Sequence, residues 1–419
     1  LLEHVPFAET DAEAGLQFQA ATLDHDDYLG RIAVGRVHRG VLTAGARVWI
    51  THPDRAKPVA VTVKNLFRYE GLKRTPVEQV VAGDVAVVTG IEEIGIGDTL
   101  CPVDQADPLP AIAIDEPTIS MIFQVNNSPL AGLDGDFVTS RHVLARLDRA
   151  LTRDVALRVK STSSADSFEV CGRGVMHLSV LIEEMRREGF EFAVGKPRVI
   201  LKDVDGKRCE PYERATVEVP SDAAGRVIEY LGRRRGELLD MNHAGNLTRV
   251  QFKIPARGLI GARTALLTLS QGEAVLSHVF DSWGPDGGPI PRRTNGVLIS
   301  DRAGEVVAYG LDGLQDRGQF FVAAGEPVYE GMIVGQNNKD TDLELNVCRA
   351  KKLTNMRASG RDDNVKIAPP IRMSLEEMLE YVEDDEVVEV TPQSLRLRKI
   401  VLNANDRKKD KKRAAAATS

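Results

Sequence analysis

The segment KKLTNMRASGRDD, Lys351–Asp363, puts four cations in its first eleven residues and leaves only Leu353, Met356 and Ala358 to bury. No apolar period of 2 or 3.6 runs through it, so neither a half-buried strand nor an amphipathic helix accounts for it. It lies between apolar runs, GMIVGQ before it and VKIAPPIRM after it. Lys351, Lys352, Arg357 and Arg361, with Asn355 between them, are the donor types that hold phosphate oxygens. A solvated surface loop has the same composition. The remaining motifs must decide between the two.

Other basic loops repeat the theme. PRRTNG carries Arg292, Arg293 and Asn295, and LQDRGQ carries Arg317. LGRRRGELL carries Arg233, Arg234 and Arg235 at the end of a predicted helix, where cations also complement the dipole. RGLIGAR sets Arg257 and Arg263 around a Gly-led helix start, a geometry that suits an anion. Together these loops read as repeated contacts with a nucleic-acid backbone. The chain's net charge of −7 excludes indiscriminate coating of nucleic acid. Local basic loops on an acidic chain fit a shaped RNA better than long duplex DNA.

Catalytic signatures are missing from the sequence. It has no G-x-x-x-x-G-K-[ST], so no phosphate-cradling loop, and no G-x-S-x-G elbow. NNKDTD has Thr341 where a guanine-specificity motif needs its Asp, and reads as chance. No two histidines have zinc-ligand spacing. The acidic clusters DHDDY (from Asp24) and EDDE (from Glu383) suit either a hard cation or a solvated turn. They leave a stand-alone metal-dependent enzyme as an alternative, beside a non-ribosomal RNA-binding protein. Cys171 has no base near it in sequence and reads as a small buried residue. The four cysteines form no CxxC pair, which points to reduced thiols and a cytoplasmic protein. No apolar run approaches the ~20 residues that span a bilayer.

The elements that must carry these loops follow from period and punctuation. The 419 residues are too many for one core. Residues 8–107 hold short Val-, Ile- and Thr-rich runs separated by Gly, Pro and Asp, the pattern of a closed β-barrel. Residues 112–196 read β-α-β-β-α-β, a ferredoxin-like plan, with Val143, Leu144, Leu147 and Leu151 on one helix face. The same order recurs over 197–284, with a hairpin turning at Ala244–Asn246. Residues 285–405 read as a mostly-β domain with one helix, SLEEMLEYVEDDE, opened by a Ser374/Glu377 capping box. Residues 406–419 read as a basic disordered tail. The fold class is multidomain α+β.

Longer motifs carry a resemblance. GRVHRGVL, GIEEIGIGDTL, SPLAGLDGDFVTSR, PARGLIGAR, GLQDRGQ, KKLTNMRAS and PPIRMSLEEMLEY resemble the BipA (TypA) family of translational GTPases, related to elongation factor G. The match runs from about His4 to Arg407. The resemblance implies a fragment or processed form that starts just after a GTPase domain. That domain would hold GTP and Mg, with no cofactor and no catalytic residue in this chain. It also implies a monomer at the ribosomal A-site region, acting in translation regulation, stress response or ribosome assembly. Its expected partners are the 70S ribosome, 23S rRNA and the acceptor end of A-site tRNA. Lys351, Lys352, Asn355 and Arg357 match the family loop, and Arg292, Asn295 and Arg317 match further loops of the C-terminal domain. One departure is Val175, where the family usually has an acidic residue.

Overall fold

The structure is a computed structural model. It describes residues 10–26, 28–55, 57–112, 116–288, 290, 293–350 and 367–418. It divides into two compact units, Leu1–Glu116 with Arg146–Arg158, and Pro117–Ala145 with Val159–Ser419.

The first unit contains ten strands: β1 (Gln17–Asp26), β2 (Gly30–Arg39), β3 (Val41–Thr43), β4 (Arg47–Thr51), β5 (Val59–Thr62), β6 (Asn65–Glu70), β7 (Lys73–Pro76), β8 (Gln79–Val81), β9 (Val85–Thr89) and β10 (Thr99–Pro102). Eight pair in the order β5-β4-β10-β1-β2-β9-β6-β7, and β3 pairs β8 separately. The expected closed barrel is therefore not formed, because β5 and β7 stay as edges. The cause is the step from β5 to β6. Only Val63 and Lys64 connect these strands, yet β5 pairs β4 and β6 pairs β9. Val63 N–H donates to Ala46 O at 3.0 Å and Lys64 N–H to Thr89 O at 3.1 Å. The sheet must curl for two residues to span its pairing path, and its interior is one apolar core around Phe18, Val37, Ile50 and Leu100. Single hydrogen bonds replace a closing ladder.

From Pro117 the chain gives β11 (Ile119–Val125), α1 (Ser140–Arg153), β12 (Arg158–Ser161), β13 (Ser167–Gly172), α2 (Val175–Arg187) and β14 (Phe192–Gly195), of which Arg146–Arg158 counts with the first unit. The strands pair β12-β13-β11-β14, the ferredoxin-like order. Helix α2 buries Leu178, Leu181, Ile182 and Met185, the stripe its 3.6-residue period predicts. After β15 (Arg198–Val199) and β16 (Lys202–Val204) the plan repeats. It runs β17 (Lys207–Pro220), α3 (Ala224–Arg233), β18 (Glu237–Ala244), β19 (Leu247–Pro255), α4 (Ala256–Leu259), α5 (Ala262–Leu269) and β20 (Val275–Pro285). These strands pair in the order β20-β17-β19-β18.

On that sheet, His278 of β20 hydrogen-bonds Glu213 of β17, whose side chain is buried. The Glu213 bond outweighs burial and raises the His278 pKa above its ordinary 6.5. The folded state thus favours the imidazolium. The stabilisation is complete below the ordinary value and is lost as pH rises through the raised one. We expect the stability of this part to fall as pH rises above 6.5, and His278→Gln to flatten that slope in chaotrope titrations.

The remaining elements are β21 (Val297–Ser300), β22 (Gly304–Glu305), α6 (Ala308–Asp312), β23 (Gly318–Phe320), β24 (Pro327–Val328), β25 (Met332–Asn337), β26 (Leu343–Leu345), α7 (Leu375–Tyr381), β27 (Glu386–Val390), β28 (Leu395–Lys399) and α8 (Ala404–Thr418). The expected capping box opens α7: Glu377 N–H donates to Ser374 Oγ at 3.3 Å, and Ser374 N–H to Glu377 Oε2 at 2.7 Å. Two expectations fail here. The domain has helices besides α7, since α6 forms within EVVAYGL, which reads as strand. Residues 404–418 are helical rather than disordered, because Lys, Arg and Ala favour helix and Asn403 caps it, accepting from Asn405 N–H at 3.0 Å.

Strand pairing crosses the predicted domain boundaries. β14 pairs β27 along four residues, so one sheet runs β12-β13-β11-β14-β27-β28-β25-β21-β26. The first ferredoxin-like part and the C-terminal strands thus form a fused block. Side chains reinforce it: Lys196 pairs Asp384 at 2.8 Å, Arg186 donates to Thr391 O at 2.9 Å, and Arg398 donates to Asn127 Oδ1 at 2.6 Å.

Candidate nucleic-acid interface

Three loops of the C-terminal part converge through backbone and amide hydrogen bonds. Asn295 Nδ2 donates to Asn337 O at 3.0 Å, and Gly296 N–H to Lys339 O at 2.8 Å. Asn338 N–H donates to Arg317 O at 2.9 Å, and Asn338 Nδ2 to Asp316 O at 3.2 Å. Ala368 N–H donates to Gln315 Oε1 at 2.9 Å, which ties the return of the Lys351 segment to the same place. β25 and the parallel pair β21–β26 set the roots of these loops. Arg317 and Lys339 are exposed, and among the described residues neither forms an ion pair. The structure thus brings together Arg317 and Asn295, two of the predicted residues. Lys339, Asn337, Asn338 and Gln315 were missed. NNKDTD was their signal: a run of amides and charges between two strands holds loops in place, whatever it fails to match as a nucleotide motif.

Lys351, Lys352, Asn355, Arg357, Arg361 and Arg292 lie outside the described residues. Three other residues expected to contact RNA have partners within the fold. Arg293 forms a fork with Glu386, Nη2 to Oε1 at 2.9 Å and Nη1 to Oε2 at 3.0 Å, and lies 4.6 Å over the Tyr381 ring. Burial opposes its charge, but Glu386 prevails and the pKa is raised. Arg257 pairs Glu210, which is wholly buried, and reaches Asp286 at 3.1 Å. Arg234 donates to the carbonyls of Gly258 at 2.8 Å and Ile260 at 2.6 Å. A half-buried guanidinium needs acceptors, and these three find them inside the fold.

The acidic clusters are likewise satisfied by cations of the chain. Asp24 pairs Arg74 at 2.7 Å, Asp26 accepts from Tyr28 N–H at 2.9 Å, and Asp27 lies outside the described residues. In EDDE, Asp384 binds Lys196 and Arg198, while Asp385 and Glu386 share Lys399 with Asp342. Among the described residues no group of three or more His, Cys, Asp or Glu could hold a metal ion. The sequence has no phosphate-cradling loop, and no hydrolytic step is assigned to these residues. Among the described residues no helix is long and apolar enough to cross a membrane.

A curled β unit, two ferredoxin-like parts and a C-terminal block with gathered loops define a module of an elongation-factor-like translational GTPase. Family profiles agree part by part. Residues 30–101 match elongation factor Tu domain 2, residues 207–293 the elongation factor G C-terminus, and residues 295–404 the TypA/BipA C-terminal domain. The chain is 49% identical to the large ribosomal subunit assembly factor BipA of Bacillus subtilis (strain 168), covering 100% of this chain and 68% of that protein. The protein of the same description from Escherichia coli (strain K12) is 45% identical, over 98% of this chain and 68% of its own length. This chain belongs to the BipA (TypA) family.

Proposed function

We propose that these residues are the ribosome- and RNA-binding portion of a BipA-type factor acting in assembly of the large ribosomal subunit. GTP and Mg are assigned to a GTPase domain outside the 419 residues. The carrying observation is the loop cluster, where exposed Arg317 and Lys339 share anchors with the root of the Lys351 segment. A rigid root matters because each cation that must be ordered on binding costs side-chain entropy. Cations on fixed loops hold phosphates at set spacings, and a folded rRNA presents such spacings. The 23S rRNA and the acceptor end of A-site tRNA are the proposed targets, reached by a cytoplasmic monomer.

The test is co-sedimentation with 70S ribosomes over a salt series. Lys351→Ala with Lys352→Ala, and Arg317→Ala with Lys339→Ala, should each weaken binding and flatten its salt dependence. The expected loss of slope is about one unit per phosphate contact removed. Parent-like affinity and slope in both double variants would rule out this role for the cluster.

A further inference from the structure

The second ferredoxin-like part meets the fused block at few places. The chain enters it through residues 199–202, where Ile200 N–H donates to Thr118 O at 2.9 Å. Helix α4 also lies against β15. Elsewhere Thr264 Oγ1, on the first turn of α5, donates to Glu380 Oε2 of α7 at 3.0 Å. Gly261, the N-cap of α5, has φ 75°, and a Cβ there would lie 3.7 Å from the same carboxylate oxygen. Arg234, which caps the end of α3, holds the carbonyls of Gly258 and Ile260 just before α5. The groups facing Glu380 are Thr264, Arg234 and Tyr230 from the second part, and Glu376 and Glu377 on its own helix. The RGLIGAR helix start, read in the sequence as suited to an anion, thus receives a carboxylate of this chain.

We propose that Glu380 is a latch that fixes the second ferredoxin-like part against α7. Loss of its contact with Thr264 lets that part turn about residues 199–202 while the fused block stays whole. The contrast in contacts carries this: a four-residue ladder and several ion pairs hold β14 to β27, but one side-chain hydrogen bond joins α5 to α7. Burial first, then Glu377 and Glu376, raise the Glu380 pKa against the pull of Thr264 and Arg234. Neither the latch nor its test depends on what the loops bind.

Hydrogen exchange of the α5 amides in the 419-residue protein tests it. Glu380→Ala and Thr264→Val should each speed exchange of the Ala265 amide, which bonds Gly261 O at 3.3 Å, roughly fivefold, the ratio one ordinary hydrogen bond supports. Protection of β27 and β28 should stay unchanged. Glu380→Gln keeps an acceptor at the same place, so α5 should be better protected than in Glu380→Ala. Should Glu380→Ala also loosen β27 and β28, Thr264→Val, which leaves α7 intact, decides alone. Parent-like exchange in Thr264→Val, or exchange in Glu380→Gln as fast as in Glu380→Ala, would overturn the latch.

Discussion

Glu386→Ala should be the most damaging single truncation in the C-terminal part, costing about 3–5 kcal/mol of unfolding free energy. Glu386 is fully buried and accepts from two cations, the half-buried Arg293 fork and the buried Lys399 Nζ at 2.9 Å. For Lys399, burial works against the ammonium, but Glu386 and its neighbours prevail and raise the pKa. Removing the shared carboxylate takes the Arg293 ion pair away, leaving it the Tyr381 carbonyl at 3.4 Å and the Tyr381 ring, and leaves Lys399 to Asp342 and Asp385. Stranded buried charge, rather than the loss of an attraction, sets the size of the effect. Glu386→Gln keeps two acceptor or donor positions and should cost less. Arg293→Met with Glu386→Gln should cost less than the two single effects added, because one variant removes the charge the other strands. Chaotrope unfolding followed by exchange at β27 measures all of these. A loss below about 1 kcal/mol for Glu386→Ala would mean that water reaches the site and screens it.

The same carboxylate shows why part of the candidate site was illegible in the sequence. Arg293 and Glu386 lie 93 residues apart, and Arg257 and Glu210 lie 47 apart. Composition identifies a basic loop, but only tertiary structure says whether its guanidinium meets a carboxylate or solvent. Arg317 and Asn295 were legible because their loops are short and polar and sit at strand ends. The β-α-β-β-α-β order was legible twice for a different reason: α2 and β13 keep their own periods, and Leu178, Ile182 and Met185 are buried as period 3.6 requires. EVVAYGL misled because a five-residue helix containing Gly310 is shorter than two turns and shows no period. Barrel closure was unreadable because it turns on where two residues, Val63 and Lys64, send their amides. The fusion of β14 to β27 joins strands nearly two hundred residues apart along the chain, beyond any local pattern.

Gly318→Ala should both destabilise the C-terminal part and disperse the loop cluster. Gly318 has extended backbone, φ 165°, so its conformation suits any residue. The constraint is the approach of β23 to β25. A Cβ at Gly318 would stand 1.9 Å from Gln336 O and 2.9 Å from the carbon of the same carbonyl. Backbone cannot yield as a side-chain tip can, so β23 must move off β25 and loosen the pairing of Gly318 with Asn337. Overpacking of this kind costs about 1–3 kcal/mol, and more where a ladder is lost. The damage reaches function through Arg317, whose carbonyl accepts from Asn338 N–H and whose side chain precedes the displaced strand. Ribosome affinity at low salt should therefore fall at least as far as in Arg317→Ala with Lys339→Ala, although Gly318→Ala removes no charge. Exchange should rise across residues 313–320 and leave β11 and β13 protected. Parent-like stability would show that β23 can shift cheaply. Parent-like affinity with raised exchange would show that the cations grip RNA without a fixed root, which would remove the rigid cluster from the binding mechanism.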